Sequence, residues 1–196
     1  MSAGLHSIPL LAMLSIITAT LVRGIAIRRK TGDRPWAFAS AKGVQRIAGS
    51  SFAFSVAALI AAAALALASD TGWTITAAII ATVGAAIVVV AQVQMGRAWR
   101  VGVREGDAPL FISHGLFRYS RNPIFVGMML VGLSAAMVSG TWWSWSALAV
   151  FIASCAVQVR IEEAHLEASF GQSYREFRSS VPRCGRDGNA PSSTSP

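Results

Sequence analysis

Two stretches of this otherwise apolar chain carry side chains able to do chemistry. The first runs from Met95 to Gly127 and reads MGRAWRVGVREGDAPLFISHGLFRYSRNPIFVG. Arg97, Arg100, Arg104 and Arg118 precede Tyr119, and Arg121 follows it. Gly96, Gly102, Gly106 and Gly115 allow tight turns. Such a loop can fold closely around an anionic group, with guanidinium groups as its partners. The plain alternative is a solvated basic loop. His114, Tyr119, Asn122 and Trp99 argue against it, because orientation alone does not require hydrogen-bonding and stacking groups. Asn122-Pro123 is a turn and helix-start signal, with proline tolerated in the first helical turn.

The second stretch runs from Val159 to Arg183 and reads VRIEEAHLEASFGQSYREFRSSVPR. Glu162 and Glu163 follow closely on an apolar run. Carboxylates at a membrane interface are costly unless paired or used. Ion pairing with Arg160 or with the loop arginines is one reading. A site for a cation or for sugar hydroxyls is the other. Adjacent helical residues diverge by about 100°, so the two need not share a role. Leu166, Phe170, Tyr174, Phe177 and Val181 recur at spacings of three and four. This predicts a pair of short amphipathic helices, broken at Gly171, against the membrane face.

The elements that must position these groups are membrane spans. Of the 196 residues, 54% are hydrophobic and 13% charged. That is about half the charge of a soluble domain, too little polar surface to cover a core. Apolar runs of spanning type cover Ile8–Ile27, Ile47–Ala68, Trp73–Gln94, Ile124–Val138 and Trp142–Gln158. The fourth is short for a full crossing. It joins the fifth through Ser139, Gly140 and Thr141, which predicts a tight antiparallel hairpin. Met1–Ser7 lacks Lys and Arg, so the first run is expected to be a mature span, not a secretory leader.

Charge placement agrees. Arg28, Arg29, Lys30, Arg34, Lys42 and Arg46 follow the first span, and Arg97 to Arg121 follow the third. Arg160, Arg175, Arg178, Arg183 and Arg186 follow the fifth. Five spans put all of them on one side, with Arg23 reaching the same face and only Asp70 opposite. The positive-inside rule makes that side cytoplasmic, with the N-terminus outside. The expected fold is an all-α membrane protein of about five transmembrane helices, followed by a cytoplasmic amphipathic helix pair. Residues 1–183 form a single membrane-embedded domain, with its catalytic half at about 94–183, and 184–196 read as a disordered tail. A bacterial inner membrane is the expected location.

The net charge of +8 therefore reflects topology and anionic lipid, not nucleic acid. Cys155 and Cys184 read as unpaired, and His6, His114 and His165 are scattered, so no metal or haem site is expected.

GLFRYSRNPIFVG (Gly115 to Gly127) and EEAHLEASFGQSYREFRSSVP (Glu162 to Pro182) together resemble the isoprenylcysteine carboxyl methyltransferase and phospholipid methyltransferase superfamily of integral membrane enzymes. The resemblance covers roughly Gln94 to Arg183. It implies methyl transfer from S-adenosylmethionine. It places His114, Gly115, Leu116, Arg118, Tyr119, Arg121, Asn122, Pro123 and Gly127 in one wall of the cofactor site. Glu162 and Glu163 form the other wall, with Phe170, Gly171 and Tyr174 closing it. His114, Arg121, Asn122 and Glu163 are the implied catalytic groups. This chain has Asn122 where the carboxyl methyltransferases carry His, and Phe125 where they carry Tyr. Asparagine can donate and accept hydrogen bonds but cannot act as a base.

Arginine suits the donor's carboxylate, and Arg118 and Arg121 are expected to serve it. A glutamate suits its ammonium or ribose. Tyr119, Tyr174 or Trp99 suits adenine or the sulfonium. A carboxylate or thiolate acceptor needs no base, whereas an amine or phenol needs one, from His114 or Glu163. The acceptor is expected to be small or lipophilic. Two other readings stand beside this one: an NADPH-dependent enzyme of the sterol-reductase type, and a small transporter or scaffold. The spans carry few polar groups and no midplane ionisable residue of the kind that marks transport.

Overall fold

The computed structural model describes residues 2–31, 43–68, 72–96 and 112–183. The expected tail, Asp70, Trp99 and the arginines at 97, 100 and 104 lie outside them. The described residues are helical apart from turns: α1 (Ser2–His6), α2 (Ile8–Thr31), α3 (Gly43–Leu65), α4 (Thr74–Met95), α5 (Pro123–Ser139), α6 (Trp142–Phe170) and α7 (Gln172–Ser180). Single 3-10 turns continue α3 at Ala66–Ala68 and precede α5 at Gly115–Arg118.

Four helices are long and apolar enough to cross a membrane: Gly4–Arg29, Gly43–Leu65, Thr74–Met95 and Trp142–Phe170. The fifth expected span is the shorter apolar helix Pro123–Ser139. Pro123 opens it at a position where a missing N–H costs nothing. Gly140 ends it in the left-handed conformation (φ 61°) and starts the hairpin to α6.

One element differs from expectation. The first member of the amphipathic pair is the continuation of α6, which runs unbroken to Phe170. Nothing between Gln158 and Gly171 breaks a helix, and Glu, Ala and Leu all favour one. The apolar part of α6 ends at Val159, after about 27 Å of rise. The remaining three turns, from Arg160 to Phe170, carry most of the helix's charged residues. Gly171 (φ 52°) then turns the chain into α7, which is a separate helix.

Small residues decide the packing. α4 packs most extensively on α5, and α3 on α6. Ala77, Ala81 and Ala91 of α4 are fully buried, as are Ala135 and Ala136 of α5. At the α4–α5 crossing, a Cβ on Gly84 would stand 2.7 Å from the Gly127 carbonyl oxygen, and one on Gly127 2.6 Å from that of Gly84. Without a hydrophobic drive inside lipid, such close approach is what holds helices together. Large side chains such as Phe54, Ile79 and Val93 point outward, as a lipid-facing surface requires. Gln92 donates to Thr20 at 3.0 Å, and Arg23 to the Gly96 carbonyl at 2.8 Å, tying α2 to α4. Antiparallel packing gathers every described Lys and Arg at one end of the bundle. Trp73, Trp142 and Trp145 stand exposed at the other end, as interfacial aromatics do.

Candidate functional site

The basic end is organised by two stitches. The first joins the turn before α5 to the end of α4. Gln94 Oε1 accepts the Leu116 N–H at 2.8 Å. Gly115 lies directly over that carboxamide with φ 62°, and a Cβ there would stand 2.4 Å from it. Only glycine fits both the space and the conformation. Gly115→Ala is expected to cost about 1–3 kcal/mol through backbone strain and the displaced Gln94. Thermal unfolding of the single and double variants with Gln94→Ala tests this. The alanine should cost less once Gln94 is truncated.

The second stitch lays residues 181–183 alongside 120–122. The Arg121 N–H donates to the Pro182 carbonyl at 3.0 Å, and the Ser120 hydroxyl donates to that of Arg183. Ser120 Oγ also accepts the Asn122 N–H at 3.2 Å. Over this backbone pairing sits a buried carboxylate. Glu163 Oε1 meets Arg183 Nε at 3.0 Å and Arg121 Nη1 at 3.2 Å. Its Oε2 meets Arg183 Nε at 2.9 Å and Nη2 at 2.5 Å. Arg121 also hydrogen-bonds the phenol of Tyr174, which is fully buried. Glu163 thus closes a knot that joins the turn before α5, the end of α6, α7 and the chain beyond it.

Burial alone would raise the Glu163 carboxyl. The hydrogen bond from Arg183 and the charges of Arg121, Arg183 and Arg178 outweigh it and hold the group below the usual carboxylate range. Burial and then the Glu163 charge raise the Tyr174 phenol. Glu162 is different. Among the described residues it has no ion-pair partner. Surrounding protein pushes its carboxyl up to about 7, with the Glu163 charge adding to the effect.

The remaining expected residues divide. Asn122 caps α5 with no side-chain capping hydrogen bond, and among the described residues its Nδ2 is buried without a hydrogen-bond partner, as is Arg121 Nε. Pro123 is buried beside it, and Leu116 is half-buried. His114, Arg118 and Tyr119 are exposed on the outer side of the 3-10 turn. Gly127 sits at the α4–α5 crossing, where it serves the close contact with Gly84. Phe170 and Gly171 mark the bend into α7. Arg121, expected to meet a ligand carboxylate, is ion-paired with Glu163 at 3.2 Å.

Arg183, Gln94 and Ser120 were not among the expected site residues. Arg183 reads in sequence as one more orientation charge, and no spacing rule links it to a residue twenty positions earlier. Gln94 looks like the polar end of a span.

The family described as phospholipid methyltransferase matches residues 73–173, just over half of the chain. That region holds α4, the 3-10 turn, α5 and all of α6, but not Tyr174 or Arg183. The chain is also similar to the protein-S-isoprenylcysteine O-methyltransferase of Schizosaccharomyces pombe, 30% identical over 95 residues, or 47% of this chain. The alignment spans only 40% of that relative's length. The matched helices, the Arg-Asn-Pro turn and the Glu-Glu end of α6 meet in one place, and by the match over residues 73–173 the chain belongs to the phospholipid methyltransferase family.

Proposed function

We propose that the chain transfers a methyl group from S-adenosylmethionine to a lipophilic or small acceptor at the cytoplasmic face of the membrane. The observation that carries this reading is the knot around Glu163. It fixes the Arg-Asn-Pro turn against the Glu-Glu end of α6, leaving Glu162 without an ion-pair partner and Asn122 Nδ2 without a hydrogen-bond partner among the described residues. The gathering of positive charge at this end supports a cytoplasmic orientation.

The residues suit the donor. Bound S-adenosylmethionine would supply an electrophilic methyl on a sulfonium. Glu162 can accept from an ammonium or ribose, the orphaned amide of Asn122 can donate to oxygen, and the exposed ring of Tyr119 offers a stacking face. Catalysis then rests mainly on positioning. A thiolate or carboxylate acceptor needs no proton removed. For an amine or phenol, His114 and Glu162 are the better bases. Glu163, which the sequence suggested, has both oxygens occupied and its proton affinity lowered.

Calorimetry on detergent-purified protein tests the reading. Binding of S-adenosylhomocysteine, with none of NADPH, is expected. NADPH binding alone would point to the reductase reading. Binding of neither would favour a transporter or scaffold. Mass spectrometry of co-purified lipid would identify the acceptor class.

A further inference from the structure

The segment that closes the knot is held at few points. α7 turns back along α6: Arg178 meets Glu167 at 2.9 Å, and farther on Arg183 meets Glu163. Of the nine residues of α7 only Tyr174 is buried, and Phe177 is half-buried. The Arg178–Glu167 pair is open to solvent, so it holds the helix weakly. The firm anchors are two. The Tyr174 phenol hydrogen-bonds Arg121. At the far end Val181 is buried, and the backbone of residues 182–183 accepts from Arg121 and Ser120.

The near end is a single glycine. Gly171 has φ 52° and ψ −118°, a conformation that glycine adopts without steric cost. A Cβ there would meet nothing within 4 Å, so the residue is glycine for its backbone and not for packing. A free bend at one end, a breakable attachment at the other and little burial between them are the conditions for local opening. The attachment also spans both walls of the site. Arg183 binds Glu163 of α6, and the backbone after Val181 binds the turn before α5. At that turn Arg121 Nε and Asn122 Nδ2 are buried without hydrogen-bond partners among the described residues. A ligand reaches these donors only if something moves.

We propose that α7 and residues 181–183 are a hinged strap. It swings about Gly171, lifting Arg183 off Glu163 and Tyr174 off Arg121, to admit the methyl donor from the aqueous side. It then latches over the bound molecule. The gating role rests on the S-adenosylmethionine reading, whereas the opening itself does not. The family match ends at residue 173, so the strap lies almost wholly beyond it.

Amide hydrogen exchange on the full chain in detergent, without ligand, reads the opening. Residues 172–181 should exchange as one unit, faster than residues 151–159 of α6. Arg183→Ala removes the latch while Glu163 keeps Arg121. It should speed exchange of that unit about tenfold, the scale of a lost hydrogen bond between charged groups, and leave 151–159 unchanged. Val181→Ala should act in the same direction, and serves as the readout should Arg183→Ala not fold. The kinetics of S-adenosylhomocysteine binding then read the gate. With the latch weakened, association and dissociation should both quicken, whereas losing a plain ligand contact changes mainly dissociation. Strap exchange no faster than that of 151–159, or unmoved in both variants, overturns the strap. Quickened exchange with unchanged association overturns its role as a gate. If the unsubstituted protein binds no S-adenosylhomocysteine, the donor reading and the gate fall together, and exchange alone decides the strap.

Discussion

Glu163→Ala is expected to destabilise the protein by about 3 kcal/mol and to abolish binding of the methyl donor. The substitution leaves the Arg121 guanidinium, 10% exposed, without its carboxylate. Arg183 is 43% exposed and can turn to water, so the cost falls at the lower end for a broken buried pair. The larger effect is geometric. Glu163 is the acceptor on which the turn before α5 and the chain after α7 converge, and Tyr174 follows Arg121. Without it, the two walls keep only their backbone stitch. Glu163→Gln retains the shape and accepts on one oxygen, so it should lose less. The pH dependence has a definite sign. The folded-state proton affinity of Glu163 is lowered, so its stabilisation is complete above the ordinary carboxylate value of 4.5. It is lost as pH falls through the depressed folded-state value. Thermal unfolding should show a constant gap between the unsubstituted protein and Glu163→Gln from about pH 7 to about pH 5, narrowing in stronger acid. A gap that widened on acidification would contradict the ion-pair account.

Gly127→Val carries the second large effect. A Cβ at Gly127 meets the Gly84 carbonyl oxygen at 2.6 Å, Val88 Cγ2 at 2.7 Å and the Val88 nitrogen at 3.1 Å. Two of the three are backbone atoms of the facing helix, so no rotamer change relieves the clash. α4 and α5 must separate, at a cost of about 3 kcal/mol for the branched side chain. Because helices in lipid associate through such contact, nothing else compensates. Arg121 lies less than two turns before Gly127, so the separation also moves it from Glu163. Gly132→Ala is the matched control. Its Cβ meets the Leu148 Cδ1 methyl at 3.2 Å, the far end of a flexible side chain that can give way. Thermal unfolding together with S-adenosylhomocysteine titration should separate the two. A Gly127→Val protein with unchanged stability would show that the crossing is looser than the contacts require.

The bundle was largely legible in the chain. Hydropathy runs gave the helices within a few residues, because a lipid environment imposes both length and composition on each span. The Gly140 hairpin and the opening of α5 at Pro123 follow from local backbone chemistry. The continuation of α6 past Val159 was missed because a change from apolar to charged residues was read as a helix end. Polarity marks where the bilayer stops, and only a breaker such as Gly171 stops the helix. Within the site, the sequence singled out Arg121, Asn122, Glu162, Glu163 and Tyr174 by type and resemblance. It could not say which carboxylate was committed.

What the sequence determined alone is the class of protein, the number and order of its apolar helices, and the end of the bundle on which its polar chemistry lies. These are properties of composition and of short spacings, which act along the chain. What only the tertiary structure decided is the pairing. Arg183 reaches back twenty residues to Glu163, and Gln94 reaches forward to Leu116 across a long connection. Gly127 meets Gly84 at the crossing of two helices. Each depends on where two distant segments meet, and that is set by the close packing of α4, α5 and α6, which no local pattern encodes.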